Sequence, residues 1–71
     1  MITLRTDDEM GRVFVTTSAV QRWIDTCAPV VTPPIGDEYI VIDGNSAEIR
    51  CDHGGGTARM PLAPDEWSWR S

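Results

Sequence analysis

Residues 38–52 read Glu38-Tyr39-Ile40-Val41-Ile42-Asp43-Gly44-Asn45-Ser46-Ala47-Glu48-Ile49-Arg50-Cys51-Asp52, and their pattern decides the fold. The run from Glu38 to Asp43 is nearly continuously apolar, which predicts a strand covered on both faces and therefore central in its sheet. Asp43-Gly44-Asn45-Ser46 supplies residues that tolerate the positive φ of a tight turn. From Ala47 onward apolar and polar residues alternate, so Ala47, Ile49 and Cys51 face a core while Glu48, Arg50 and Asp52 face water. A slip of one residue would invert that arrangement, which makes the register of this hairpin well specified.

Working toward the C-terminus, His53-Gly54-Gly55-Gly56 is a turn, and residues 57–62 offer Ala58, Met60 and Leu62 as an inward set. Pro61 cannot donate to a ladder, so this strand lies at a sheet edge or ends there. Residues 63–71 form an acidic and then aromatic tail, in which Trp67 and Trp69 share one face of an extended segment.

Working toward the N-terminus, residues 28–37 carry Pro29, Pro33 and Pro34 and read as a stiff connector. Before it, Val20, Trp23, Ile24 and Cys27 lie at i, i+3, i+4 and i+7 and make one helical apolar stripe. Ser18 and Gln21 match a capping box at its start, and Pro29 ends it. Residues 2–6 and 12–16 alternate on either side of a turn containing Asp7, Asp8, Glu9 and Gly11, which predicts a second hairpin with Val13 and Val15 on one face and Phe14 on the other. The expected fold is a single α+β domain over residues 1–71: a small antiparallel sheet of four to five strands in two hairpins, with one short helix packed on one face.

With 71 residues the chain has room for one small core and no dinucleotide fold or α/β barrel. All six basic residues are arginines, so Schiff-base and P-loop chemistry lack their ammonium. Eleven acidic residues against six basic ones give a net charge of −5, which opposes direct nucleic-acid binding. Asp7, Asp8 and Glu9 stand where a signal peptide would be basic and then apolar, and no stretch approaches membrane-spanning length, so a cytoplasmic protein without membrane contact is expected. Cys27 and Cys51 then read as buried thiols rather than a bridge.

Cys51 and His53, two apart, are the one pair that could serve a metal or a thiolate–imidazole site. Even with Cys27 and a carboxylate such as Asp25 or Asp52, the paired Cys-x-x-Cys spacing of zinc sites is missing. His53 also adjoins three glycines that would hold a general base loosely. Gly54-Gly55-Gly56 leads into a strand rather than a helix, which disfavours a phosphate loop. No catalytic residue, metal or cofactor is therefore expected.

What remains is the acidic excess and the aromatic tail. The excess serves solubility, or it steers the domain toward a basic partner. The tail caps an open edge, or it is a binding hot spot. The functional expectation is a non-catalytic protein-binding module, an accessory or inhibitory factor whose Asp7, Asp8, Glu9, Glu48, Asp52, Asp65, Glu66, Trp67 and Trp69 meet a basic surface on a protein partner. In size, acidity and lack of catalytic motifs the chain resembles small phage-encoded inhibitors of host defence, anti-CRISPR proteins included. The resemblance implies a host nucleic-acid-handling or defence complex as target and carries over no residue. The alternative is a structural subunit of a virion or complex that pairs, with a homodimer as the simplest case, through unguarded sheet edges.

Overall fold

Six strands and one helix follow one another in a computed structural model that describes residues 2–8, 11–26, 38–53 and 56–69. They are β1 (Ile2–Thr6), β2 (Arg12–Val15), α1 (Thr17–Thr26), β3 (Tyr39–Asp43), β4 (Ser46–His53), β5 (Gly56–Leu62) and β6 (Trp67–Trp69). The connector 28–37, Glu9, Cys27, Gly54 and Gly55 of the sequence reading lie outside the described residues.

The decisive hairpin forms in the expected register, with Ile40 opposite Ile49 and Ile42 opposite Ala47. Gly44 takes φ +63° in its turn, a left-handed conformation that a Cβ would strain. Ala47, Ile49 and Cys51 are buried, and Glu48, Arg50 and Asp52 stand on the other face. β5 extends this hairpin, with Met60 opposite Ile49 and Leu62 opposite Ala47, and it is an edge strand as Pro61 required. The β1–β2 hairpin also forms, with Leu4 opposite Val13.

Several features depart from the sequence reading. The sheet has six strands in the order β5-β4-β3-β1-β2-β6, because the tail adds Trp67–Trp69 to the outer side of β2. One pair, β1 with β3, is parallel, since β2 and α1 intervene and bring the chain back in its original direction. β3 is central but covered on one face only: Ile40 is fully buried, whereas Tyr39 and Val41 are half-buried on the outer face. The helix cap is Thr16, whose hydroxyl accepts from Ala19 N at 3.2 Å, while Gln21 reaches Asp25 instead of Ser18.

The sheet must also be strongly curled. β5 and β6 are its opposite edges, separated in a flat sheet by five strand spacings of ~4.8 Å, roughly 24 Å. The five residue steps from Leu62 to Trp67 reach only about 18 Å. The edges are therefore drawn together, and α1 lies across the concave side. Its contact is centred on Ala19 and Trp23, one turn apart, with Val20 half-buried and Ile24 left 39% exposed, so the buried stripe is rotated from the expected one. Alanine lets the helix approach closely, and the Trp23 indole is buried in the same cluster as residues of β2, β3 and β4. Val13, Val15, Ile40, Ile49, Met60 and Leu62 complete this core.

The helix is fastened at the seam. Arg22 grips both carboxylate oxygens of Glu66 at 2.6 and 2.9 Å and donates to the carbonyl of Pro61 at 3.3 Å. Glu66 also accepts from Ala63 N at 2.8 Å, and its own carbonyl accepts from Thr16 N. One arginine thus ties α1 to the end of β5 and the start of β6. Among the described residues no helix is long and apolar enough to cross a membrane.

Candidate functional site

Two surfaces carry several of the side chains singled out above. The first is the convex outer face of the sheet, where Tyr39, Glu48, Arg50, Asp52, Thr57 and Arg59 fall on successive strands by register. Tyr39 donates its hydroxyl proton to Asp52 at 2.7 Å, and Thr57 donates to the other oxygen of Asp52 at 2.7 Å. Those two hydrogen bonds hold the Asp52 carboxyl below its usual range, and the bond to Asp52, helped by partial burial, raises the Tyr39 phenol. Glu48 accepts from Arg50 at 2.6 Å and from Arg59 at 3.4 Å. Partial burial pushes its carboxyl up, but the two guanidinium groups outweigh that and leave it low. Arg5 stacks over the Tyr39 ring at 5.5 Å.

This face was missed in the sequence, which is acidic on average. Arg5, Arg12, Arg50 and Arg59 all reach it, since each occupies a water-facing position of a strand alternation. That alternation was the available signal. Glu48 pairs with both Arg50 and Arg59, and Asp52 is held by Tyr39 and Thr57, so the two carboxylates offset part of the positive charge that the four arginines bring to this face.

The second surface lies at the turn after β1. Antiparallel pairing of β6 with β2 puts Trp69 opposite Val13, next to Gly11, where an added Cβ would sit 3.4 Å from the indole. Thr6, Asp7, Asp8, Gly11, Ile42 and Trp69 surround a hollow of about 310 Å³. Asp7 is held by its amide on the carbonyl of Ile40 at 3.0 Å, and Asp8 accepts the Thr6 hydroxyl at 2.6 Å. Thr6 is itself buried, and its oxygen accepts from Gly11 N, which ties the end of β1 to the residue before β2. Asp7 and Asp8 are exposed, and Trp69 is 57% exposed.

The nine sequence-selected residues therefore do not share one patch. Asp7, Asp8 and Trp69, sixty residues apart in the chain, come together. Asp65 is exposed and Glu66 is engaged by Arg22 at the other end of β2. Glu48 and Asp52 are on the outer face, and Glu9 lies outside the described residues. Trp67 packs half-buried against the core and meets Trp69 edge to face with ring centroids 6.4 Å apart. Cys51 is a buried thiol outside any disulfide, and His53 ends β4 opposite Gly56. Among the described residues no three His, Cys, Asp or Glu side chains gather in a way that could hold a metal ion.

The fold and these surfaces define a small α+β domain with a curled, helix-closed sheet. No protein family, curated protein or solved structure matches the chain.

Proposed function

We propose that the protein is a non-catalytic protein-binding module, an accessory or inhibitory factor that captures a basic side chain of its partner in the hollow of Asp7, Asp8 and Trp69. One observation carries this reading: the β2–β6 pairing seats an exposed indole beside two carboxylates around an open hollow. A guanidinium or ammonium there would meet the indole face and two anionic acceptors together, a combination that suits a cation and little else. The acidic balance of the chain adds long-range attraction toward a basic surface. A phage-type inhibitor of a host nucleic-acid-handling complex would fit this chemistry, because such complexes expose basic surfaces.

An acetylated hexa-arginine peptide tests the reading. In a two-dimensional NMR titration it is expected to shift the Trp69 indole and the Asp7 and Asp8 amides, with affinity that falls as salt rises. Trp69→Ala, or Asp7→Asn with Asp8→Asn, is expected to weaken binding at least about fivefold, the equivalent of ~1 kcal/mol for a half-exposed cation–π contact. Asp65→Asn at the far corner serves as control. Peptide shifts that map elsewhere, or variants that bind like the parent, would refute it.

A second reading has its own observation. Beyond β5 no strand is paired among the described residues, so Gly56–Leu62 is an open edge on which another chain could add a strand. A salt-insensitive dimer in analytical ultracentrifugation would favour this assembly role over basic-partner capture.

A further inference from the structure

A second hollow, on the other side of the sheet from the arginine face, is built differently. Ile2, Leu4, Val20, Trp23, Ile24 and Ile49 line a groove of about 140 Å³ between β1 and α1, and among the described residues the one charged side chain lining it is Glu38. Ile2 and Ile24, 38% and 39% exposed, form its rim. Glu38 sits one pleat before Ile40 and so points to the concave side, where it is only 8% exposed. Among the described residues it accepts one hydrogen bond, from Trp23 Nε1 at 3.3 Å.

No described cation balances this carboxylate. Arg5, Arg12, Arg50 and Arg59 stand on the opposite face of the sheet, and Arg22 is clasped by Glu66. A carboxyl group placed among aliphatic walls with a single described donor keeps acceptor capacity that a cation entering the groove would meet. The groove itself states what that counter-charge must be. Its volume matches a group of about six heavy atoms, since a cavity near 150 Å³ accommodates benzene. Its walls suit a methylene stem, and the two oxygens of its one described carboxylate can meet most of the three donors of a compact ammonium. A guanidinium would bring five donors into an apolar slot and leave most of them unmet.

We propose that this groove is a pocket for an aliphatic ammonium, the side chain of a lysine supplied by a partner protein, with Glu38 as its anion and the Trp23 indole as its wall. The chain has no lysine of its own. The pocket rests on Glu38 and Trp23 and is independent of the hollow at Trp69; occupied together, the two would read a pair of basic residues on one partner.

The probe is n-pentylamine, compared with n-pentanol, which has the same length and no charge. In the full-length chain, titration of the amine is expected to shift the Trp23 indole N–H resonance saturably, and the alcohol to bind at least tenfold more weakly. Glu38→Gln keeps the shape and an acceptor for Trp23 Nε1 while removing the charge, and it is expected to abolish the amine's advantage over the alcohol. Val20→Phe, which narrows the groove and leaves Glu38 in place, is expected to block both probes. The Trp69 resonance reports the other hollow in the same spectra, so either site can fail alone. Equal binding of amine and alcohol, unchanged amine binding in Glu38→Gln, or a Trp23 signal that does not move because the chain already fills its own groove would each overturn the proposal.

Discussion

Replacing Arg22 by alanine removes a side chain that joins α1 to the end of β5 and the start of β6. The magnitude follows from the exposure of the pair. Arg22 is 44% and Glu66 14% exposed at the side chain, so the contact is neither a free surface pair of 0.2–1 kcal/mol nor a buried one whose breaking costs about 3–5 kcal/mol. Two parallel charge-assisted bonds and the lost bond to the Pro61 carbonyl place the expected loss near 1.5 kcal/mol, a fall in Tm of roughly 6–12 °C for a domain of this size. The assay is a double-mutant cycle with Glu66→Ala in urea, in which the coupling energy is expected near 1 kcal/mol. Acid should erase it with a defined sign. Arg22 first, and then the Ala63 amide, hold the Glu66 carboxyl below its ordinary value of 4.5. A group whose folded-state pKa is depressed contributes fully above its unfolded pKa and loses that contribution as pH falls through the folded value. The coupling should therefore be intact at neutral pH, persist just below the usual carboxylate range, and vanish only in stronger acid. A coupling within about 0.3 kcal/mol of zero at neutral pH would refute the view that the helix locks the curled sheet.

Two further tests address local structure. Thr16→Ala should cost about 1 kcal/mol in chemical denaturation because it removes the acceptor for Ala19 N, whereas Ser18→Ala should change stability by no more than a few tenths; the reverse order would restore the Ser18 cap. Tyr39→Phe removes the first donor to Asp52, so the Asp52 carboxyl should titrate at higher pH by NMR while remaining partly lowered by Thr57, and an unchanged titration would mean that the outer-face network does not persist in solution.

Much of the strand pattern was legible because it depends on neighbours close in sequence. The alternation of Ala47, Glu48, Ile49, Arg50, Cys51 and Asp52 sets which side of a pleat each residue takes, and the Asp43–Ser46 turn pins the partner, so both faces of the β3–β4 hairpin could be assigned. Pro61 likewise marked an edge, since a missing donor has the same consequence in any sheet. The helix was legible as a helix but not in its orientation. Its period predicts a stripe, and whether the stripe centres on Ile24 or Ala19 depends on the curvature of the sheet beneath it.

The chain by itself thus determined its helix, the strands up to β5 with their inward and outward residues, and the absence of lysine that narrows its chemistry. Only the tertiary structure decided that Trp69 meets Asp7 and Asp8, that four arginines gather outside, and that Glu38 is enclosed beside Trp23. The reason is physical: local periodicity records which face a side chain occupies, but the closing of a six-stranded sheet by a four-residue corner is a global constraint, and it alone sets which distant faces become neighbours.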